Sequence, residues 1–162
     1  MKAWSRRPFE IRNLFNPAFC GLVLFRALRA FEDEDARGMP FSLCLLILPL
    51  SLQRESRETL AKGNRSYFLK VVTTHPQMLV EFPRRASDMM AFAFEALGLL
   101  MQMGVVEVTD QGRLRTRPEG VRKTDPGSAE TIACQKVARY LGKQFALIGD
   151  ALTIYATLGV RP

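Results

Sequence analysis

The chain has 162 residues, of which 48% are hydrophobic and 24% charged; that supports one buried core but not two independent ones, so it reads as a single domain over 1–162. No stretch is polar enough to stay unfolded, and the longest uncharged apolar runs, 17–25 and 41–53, fall short of the ~20 residues that a membrane-spanning helix needs, which excludes a transmembrane segment. The net charge of +7 comes mostly from arginine and suits contact with nucleic acid or with an acidic protein surface, without choosing between them.

The first stretch, MKAWSRRPFEIRN, carries Lys2, Arg6, Arg7 and Arg12, but Glu10 and Arg12 break the apolar run that a leader would need, and no small-residue cleavage site appears. It does not read as an export signal, and the expected location is the cytoplasm. Cys20, Cys44 and Cys134 are odd in number and lie in apolar segments, which fits reduced, buried thiols. Asn16 and Pro17 mark a helix start: the Asn side chain caps an orphan amide, and Pro at the first helical position loses a donor that had no partner. This helix is expected to run from Pro17 to about Phe31, with Phe15 packing on Cys20 across the cap. Phe19 belongs to the same start motif. Leu24, Leu28 and Phe31 continue the face of Cys20, which therefore reads as packing and not as a nucleophile.

The acidic run Glu32-Asp33-Glu34-Asp35 stands alone after this helix, in a loop that Gly38 ends. MPFSLCLLILPLSL is apolar on every side and hence central; Pro40 favours a helix start, and Pro49 is expected to end or kink the element. QRESRETL reads as a short polar helix with Arg54, Arg57 and Glu58 outward, and GNRSYFLKVVTT as a helix capped by Asn64 and broken at His75-Pro76. Pro83 is expected to divide the next apolar stretch into a short helix and a long one capped by Ser87 or Asp88. On the long helix Phe92, Leu99 and Met103, beside Ala96 and Leu100, form the expected buried stripe, ending at Gly104.

VVEVTDQGRLRTRP holds two alternating segments around Asp110-Gln111-Gly112, the pattern of a β-hairpin. A long helix leading into a hairpin after several short helices is the order of a winged helix-turn-helix domain. The expected fold class is therefore mainly α (α+β): a compact helical domain with a β-hairpin wing. Arg113, Arg115 and Arg117 alternate and so share one face, expected to be positive. They are candidate nucleic-acid contacts, or else charges that keep an edge strand soluble. A loop comes next; Ser128 then caps a final long helix, with Glu130 in its first turn and Ala133, Val137, Leu141 and Phe145 repeating every fourth residue. The terminal GDALTIYATLGVRP is apolar enough to dock on the core.

Catalytic constellations are missing. His75 is the single histidine, the cysteine spacings match no zinc pattern, and Gly142-Lys143 lacks the upstream glycine and the following Ser or Thr of a phosphate loop. Glu81 and Glu95 are single carboxylates on helices. The expectation is a protein that is not an enzyme and carries no metal or cofactor.

Three blocks, RNLFNPAFCGLVL, GMPFSLCLLILPLSLQRESRETL and LGKQFALIGDALTIYATLGVRP, resemble the middle component of bacterial three-component ABC systems. The Asn-Pro-Ala-Phe start, the Leu-Pro corner at Pro49 followed by Arg57, and the terminal Leu-Gly-Val-Arg-Pro stand in the family's order. Where the family often has a histidine before its arginine, this chain has Gln53 or Arg54. The resemblance implies a non-enzymatic adaptor or regulatory subunit beside an ABC ATPase of SMC or Rad50 type and a third, effector protein, as in Lamassu-type antiphage systems, with DNA met inside the complex. By their place in these motifs, Arg57 and Arg161 are candidate partner contacts, or else internal ion-pair partners. The rival reading is a stand-alone winged-helix DNA-binding module.

Overall fold

The computed structural model describes residues 6, 8, 15–117 and 119–161; Lys2, Arg7 and Arg12 of the basic first stretch lie outside them. The first helix, α1, is Pro17–Glu32, with the Asn16 side chain accepting the Ala18 amide at 2.8 Å and Pro17 in the first turn, as the cap chemistry requires. Phe15, expected to pack on Cys20, is half-buried against the core that holds Cys20. Its ring stacks on Phe92, with centroids 4.4 Å apart.

After the acidic loop, Met39–Pro40 forms a short strand, β1, that was not expected, and Pro40 is also the cap position of the helix that follows, where a helix start was expected. Helices α2, Phe41–Cys44, and α3, Ile47–Ser51, come next. The break between them lies upstream of Pro49, not at it. A proline ring clashes with the carbonyl four residues earlier, here that of Leu45, whereas in the first turn of α3 its missing amide had no intrahelical partner. Helix α4 is Arg54–Lys62, and α5 is Phe68–Thr74. Asn64 does not cap α5; the Phe68 amide donates instead to Gln144 Oε1 at 2.9 Å. A 3₁₀ turn at Pro76–Leu79 leads to α6, Phe82–Gln102, with Pro83 in its first turn. This helix therefore starts ahead of Ser87 and Asp88, which lie inside it. Its buried residues are Phe82, Ala86, Met89, Ala93, Ala96, Leu97 and Leu100. The buried stripe is rotated from the expected one, leaving Phe92 and Leu99 half-buried and Met103 exposed.

The hairpin forms as expected, from β2, Val106–Val108, and β3, Arg113–Thr116, but β1 adds to it in the order β1-β3-β2. Met39 pairs with Leu114, and Glu107 with Arg115. β3 is thus the central strand and not an edge. Helix α7, Ala129–Ile148, is capped by the Ser128 hydroxyl, which accepts the Thr131 amide. Helix α8, Ala151–Thr157, docks the terminal segment through buried Ile154 and Leu158 and through the Tyr155 hydroxyl, which donates to Ser42 O at 2.7 Å. The mainly helical α+β class is therefore observed, and the buried hydrophobic residues form one cluster.

Helix α1 runs between α6 and α7 and packs most extensively on α7. Gly142 makes that approach possible: a Cβ there would stand 2.0 Å from the Ala27 carbonyl oxygen, so the two backbones touch where any side chain would hold them apart. Gly98, in the interior of α6, has nothing within 4 Å of such a Cβ. The two glycines should respond oppositely to the same substitution in urea unfolding. Gly142→Ala is expected to destabilise by about 1–3 kcal/mol through overpacking, and Gly98→Ala to stabilise by up to about 1 kcal/mol through helix propensity.

Candidate functional site

The start motif of α1 and the corner after Pro49 meet in space. Asn16, Phe19, Leu52, Arg57, Glu130 and Cys134 line a cleft of about 390 Å³ between the starts of α1, α4 and α7. Arg57 does not point outward: it is buried, while its helix neighbours Arg54 and Glu58 pair outside at 2.8 Å. Its guanidinium donates to Leu52 O at 2.8 Å and Ser51 O at 3.4 Å, the free carbonyls at the end of α3, and to Glu130 Oε1 at 2.7 Å in the first turn of α7. With 6% of its side chain exposed, Arg57 ties three helix ends together. Pro49 is buried behind it. Arg161, beyond α8, is exposed and has no ion-pair partner among the described residues.

Cys20 is fully buried on the core side of the same helix start. Burial pushes its thiol up to about 12, helped by the neighbouring Cys134, and burial alone does the same to Cys44. Cys134 is raised as well, by burial above all. All three thiols are free. The His75 ring Nδ1 lies 2.9 Å from Val71 O at the end of α5. Among the described residues no group of His, Cys, Asp and Glu gathers as a metal site, and no helix is long and apolar enough to cross a membrane.

The hairpin arginines do share a face, but that face is not positive. The acidic run that looked solitary folds against it. Arg113 donates to Gly38 O at 2.7 Å and lies 3.8 Å from Asp35; Arg115 lies 3.5 Å from Glu32, and Arg117 pairs with Glu107. Glu32, at the end of α1, also accepts the Thr116 amide at 3.0 Å and its hydroxyl. The Asp35 carboxyl is held down to about 2, chiefly by the side chain of Arg37, with Arg113 adding to it. Sequence reasoning missed these carboxylates as partners, since Glu32 and Thr116 stand 84 positions apart in the chain and nothing local signals their meeting. The helix before the hairpin carries cations only in its first turn, where Arg84 lies 3.9 Å from Asp88 and Arg85 donates to Val80 O and Met78 O; from 86 to 112 there is no Lys or Arg, while Asp88, Glu95, Glu107 and Asp110 are acidic.

What α6 does expose is apolar. Met90, Phe94 and Met101 project from one flank, the open position of Gly98 lies beside them, and Phe41 stacks on Phe94 with centroids 6.0 Å apart. Exposed aromatic and methionine side chains gathered on one flank are the composition of a protein-docking surface. From the sequence, methionines read as core filler rather than as a partner groove; Met90 and Met101 are exposed instead.

Among known proteins, a family model described as ABC-three component (ABC-3C) system Middle Component 3 matches residues 4–162. No curated protein and no solved structure matches the chain.

The site geometry has two measurable outcomes. In the native protein at pH 8 a thiol reagent should find no fast-reacting cysteine, because raised thiols carry almost no thiolate; unfolding should release all three. The depressed Asp35 carboxyl contributes stability above its unfolded value of 3.8 that is lost as pH falls to about 2. Acid melting curves should therefore show a fall in Tm across that window that is smaller in Asp35→Asn.

Proposed function

The chain belongs to the ABC-three component (ABC-3C) system Middle Component 3 family, and from that membership we propose that it acts as an adaptor subunit that performs no chemistry itself. Its partners in this reading are an ABC ATPase of SMC or Rad50 type and a third, effector protein, working in the bacterial cytoplasm in an antiphage or mobile-element conflict of the Lamassu kind. The single observation that carries it is the extent of the family match, which takes in nearly all of the domain. The side chains support it: the thiols are buried and un-ionised, the lone imidazole is tied to its own helix, and the exposed flank of α6 is shaped for protein contact.

In this reading Phe41, Met90, Phe94 and Met101 are the docking face, and Arg57 holds the frame behind the motif cleft. Arg161, exposed and unpaired among the described residues, is a second candidate contact. The stand-alone DNA-binding module has less support, because its hairpin arginines are paired with carboxylates and its leading helix has no Lys or Arg beyond Arg84 and Arg85 in the first turn.

Co-expression with the products of the neighbouring genes tests the proposal. A stable complex containing the ABC ATPase is expected. Phe94→Glu should weaken it by about tenfold or more, as loss of a central aromatic anchor does, with melting of the isolated chain little changed because Phe94 is 49% exposed. Recovery of the chain alone at low salt counts against the adaptor, and an unchanged Phe94→Glu complex counts against this face.

A further inference from the structure

The net charge of +7 is not carried by the hairpin, so it must lie elsewhere. Many of the described cations face a carboxylate: Arg37 and Arg113 meet Asp35, Arg54 meets Glu58, Arg84 meets Asp88, and Lys143 meets Glu34. A concentration of cations stands in a cleft of about 350 Å³ between α1 and α7, roofed by the loop that leads into α7. Arg26, Arg29, Lys123 and Arg139 line it. Among the described residues only two carboxylates answer these cations: Asp33 lies 3.1 Å from Arg29, and Asp125 is shared between Arg26, at 3.5 Å, and Arg139. Lys123 has no ion-pair partner among the described residues, and exposed Arg122 stands next to it.

Arg26 is the informative residue. Its side chain is 6% exposed, yet it lies on the cleft wall. Nε donates to Gln135 Oε1 at 3.3 Å and Nη2 to Thr124 O at 2.8 Å, which fixes the guanidinium and leaves Nη1 without an acceptor among the described residues. Gln135 is itself held, donating to Pro126 O and Thr131 O. Burial and the like charge of Arg139 both depress the Arg26 guanidinium, the condition that a bound anion relieves. The rest of the lining is Asp33, which faces Arg29, and the apolar Phe25, Ala30 and Val121.

We infer that this cleft binds a phosphate-bearing ligand of nucleotide size. Its phosphates take Arg26 Nη1, Arg29, Lys123 and the remaining N–H groups of Arg139, and its apolar part lies on Phe25, Ala30 and Val121. Planar guanidinium groups suit phosphate oxygens, and convergent charged groups beside an apolar wall, in a recess of some hundreds of Å³, are the build of a small-molecule site. A polymeric nucleic acid needs instead a stripe of cations that follows its backbone. The inference is independent of the adaptor role, since it uses neither the α6 flank nor a partner protein.

The test is binding of a fluorescent nucleoside triphosphate to the full chain, with inorganic pyrophosphate as competitor and a short single-stranded oligonucleotide as the polymer probe. The expected result is saturable nucleotide binding displaced by pyrophosphate and weakened by about tenfold or more in the double variant Arg29→Gln, Lys123→Gln, as loss of charged hydrogen bonds predicts. Both residues are solvent-exposed, so the variant should melt as the wild type does. Arg26→Lys, which keeps the charge but loses the fork, should also weaken binding. No nucleotide binding, binding indifferent to pyrophosphate or to the double variant, or binding of the oligonucleotide alone would each overturn the assignment.

Discussion

The structure depends on one backbone contact, Gly142 against Ala27. Because a Cβ at Gly142 would stand 2.0 Å from the Ala27 carbonyl, α1 and α7 lie closer than side-chain interdigitation permits, and the polar ties between distant segments depend on that spacing. Glu130 reaches Arg57 from the first turn of α7; Gln135 reaches Arg26 from the second turn; Gln144 takes the Phe68 amide near its end. Each tie fills a hydrogen-bonding need that burial would otherwise leave open: the carbonyls ending α3, a guanidinium inside the domain, the first amide of α5. α7 thus works as a spine, and its polar residues point inward as often as outward. A helix read only for its apolar repeat does not reveal this, since Gln135 is wholly buried and Arg139 half-buried.

The legible parts of the sequence were those governed by local chemistry. Asn16-Pro17 at the start of α1, Ser128 at the start of α7, the hairpin around Gly112 and the docking of the last segment all rest on residues within a few positions of one another. The misread parts were decided at long range. Two-residue β1 has no pattern of its own and exists because Leu114 and Arg113 lie opposite Met39 and Pro40; a proline is tolerated there because the strand is an edge. Arg57 looks like an outward charge on a polar helix until the end of α3 and the start of α7 are placed around it. α6 carries apolar residues on more than one side, so periodicity alone could not set which flank is buried. The cleft start motif was legible as a motif, whereas its convergence with Cys134 and Glu130 was not.

The charge distribution shows how composition misleads when read by segment. An arginine-rich strand and an acidic loop, taken separately, suggest a cationic face and a solvated turn. Folded, they neutralise each other, and the sheet is clamped to the end of α1 by Glu32, whose carboxylate is nearly buried and takes the Thr116 amide, its hydroxyl and Arg115 together. Each ion pair with an exposed partner contributes little by itself, but this one satisfies a backbone donor as well and fixes where the hairpin stands. Four further cations, Arg26, Arg29, Lys123 and Arg139, gather where α1, α7 and the loop between β3 and α7 converge, and among the described residues Asp33 and Asp125 are the carboxylates that answer them.

The exposed flank of α6 owes its use to rigidity. The helix begins at Glu81, which holds a left-handed φ of 54° with an ordinary side chain. Such a residue persists only where its surroundings over-determine it. Here they do: Arg85 donates to Val80 O at 3.3 Å, Met78 O at 3.2 Å and Ser56 Oγ at 3.4 Å, and lies 5.3 Å over the Phe82 ring, so the turn before α6 is bound to α4 from inside. On the far flank Phe92 is stacked by Phe15, just ahead of the α1 cap, and on the near flank Phe94 is stacked by Phe41, just after β1. α6 is therefore fixed at its start and on both flanks by segments that also define the core. A docking face held this way loses little conformational entropy when a partner covers it. Under the proposed adaptor role, this preset apolar flank is the surface that the domain offers a partner, leaving the cleft between α1 and α7 free for a small ligand.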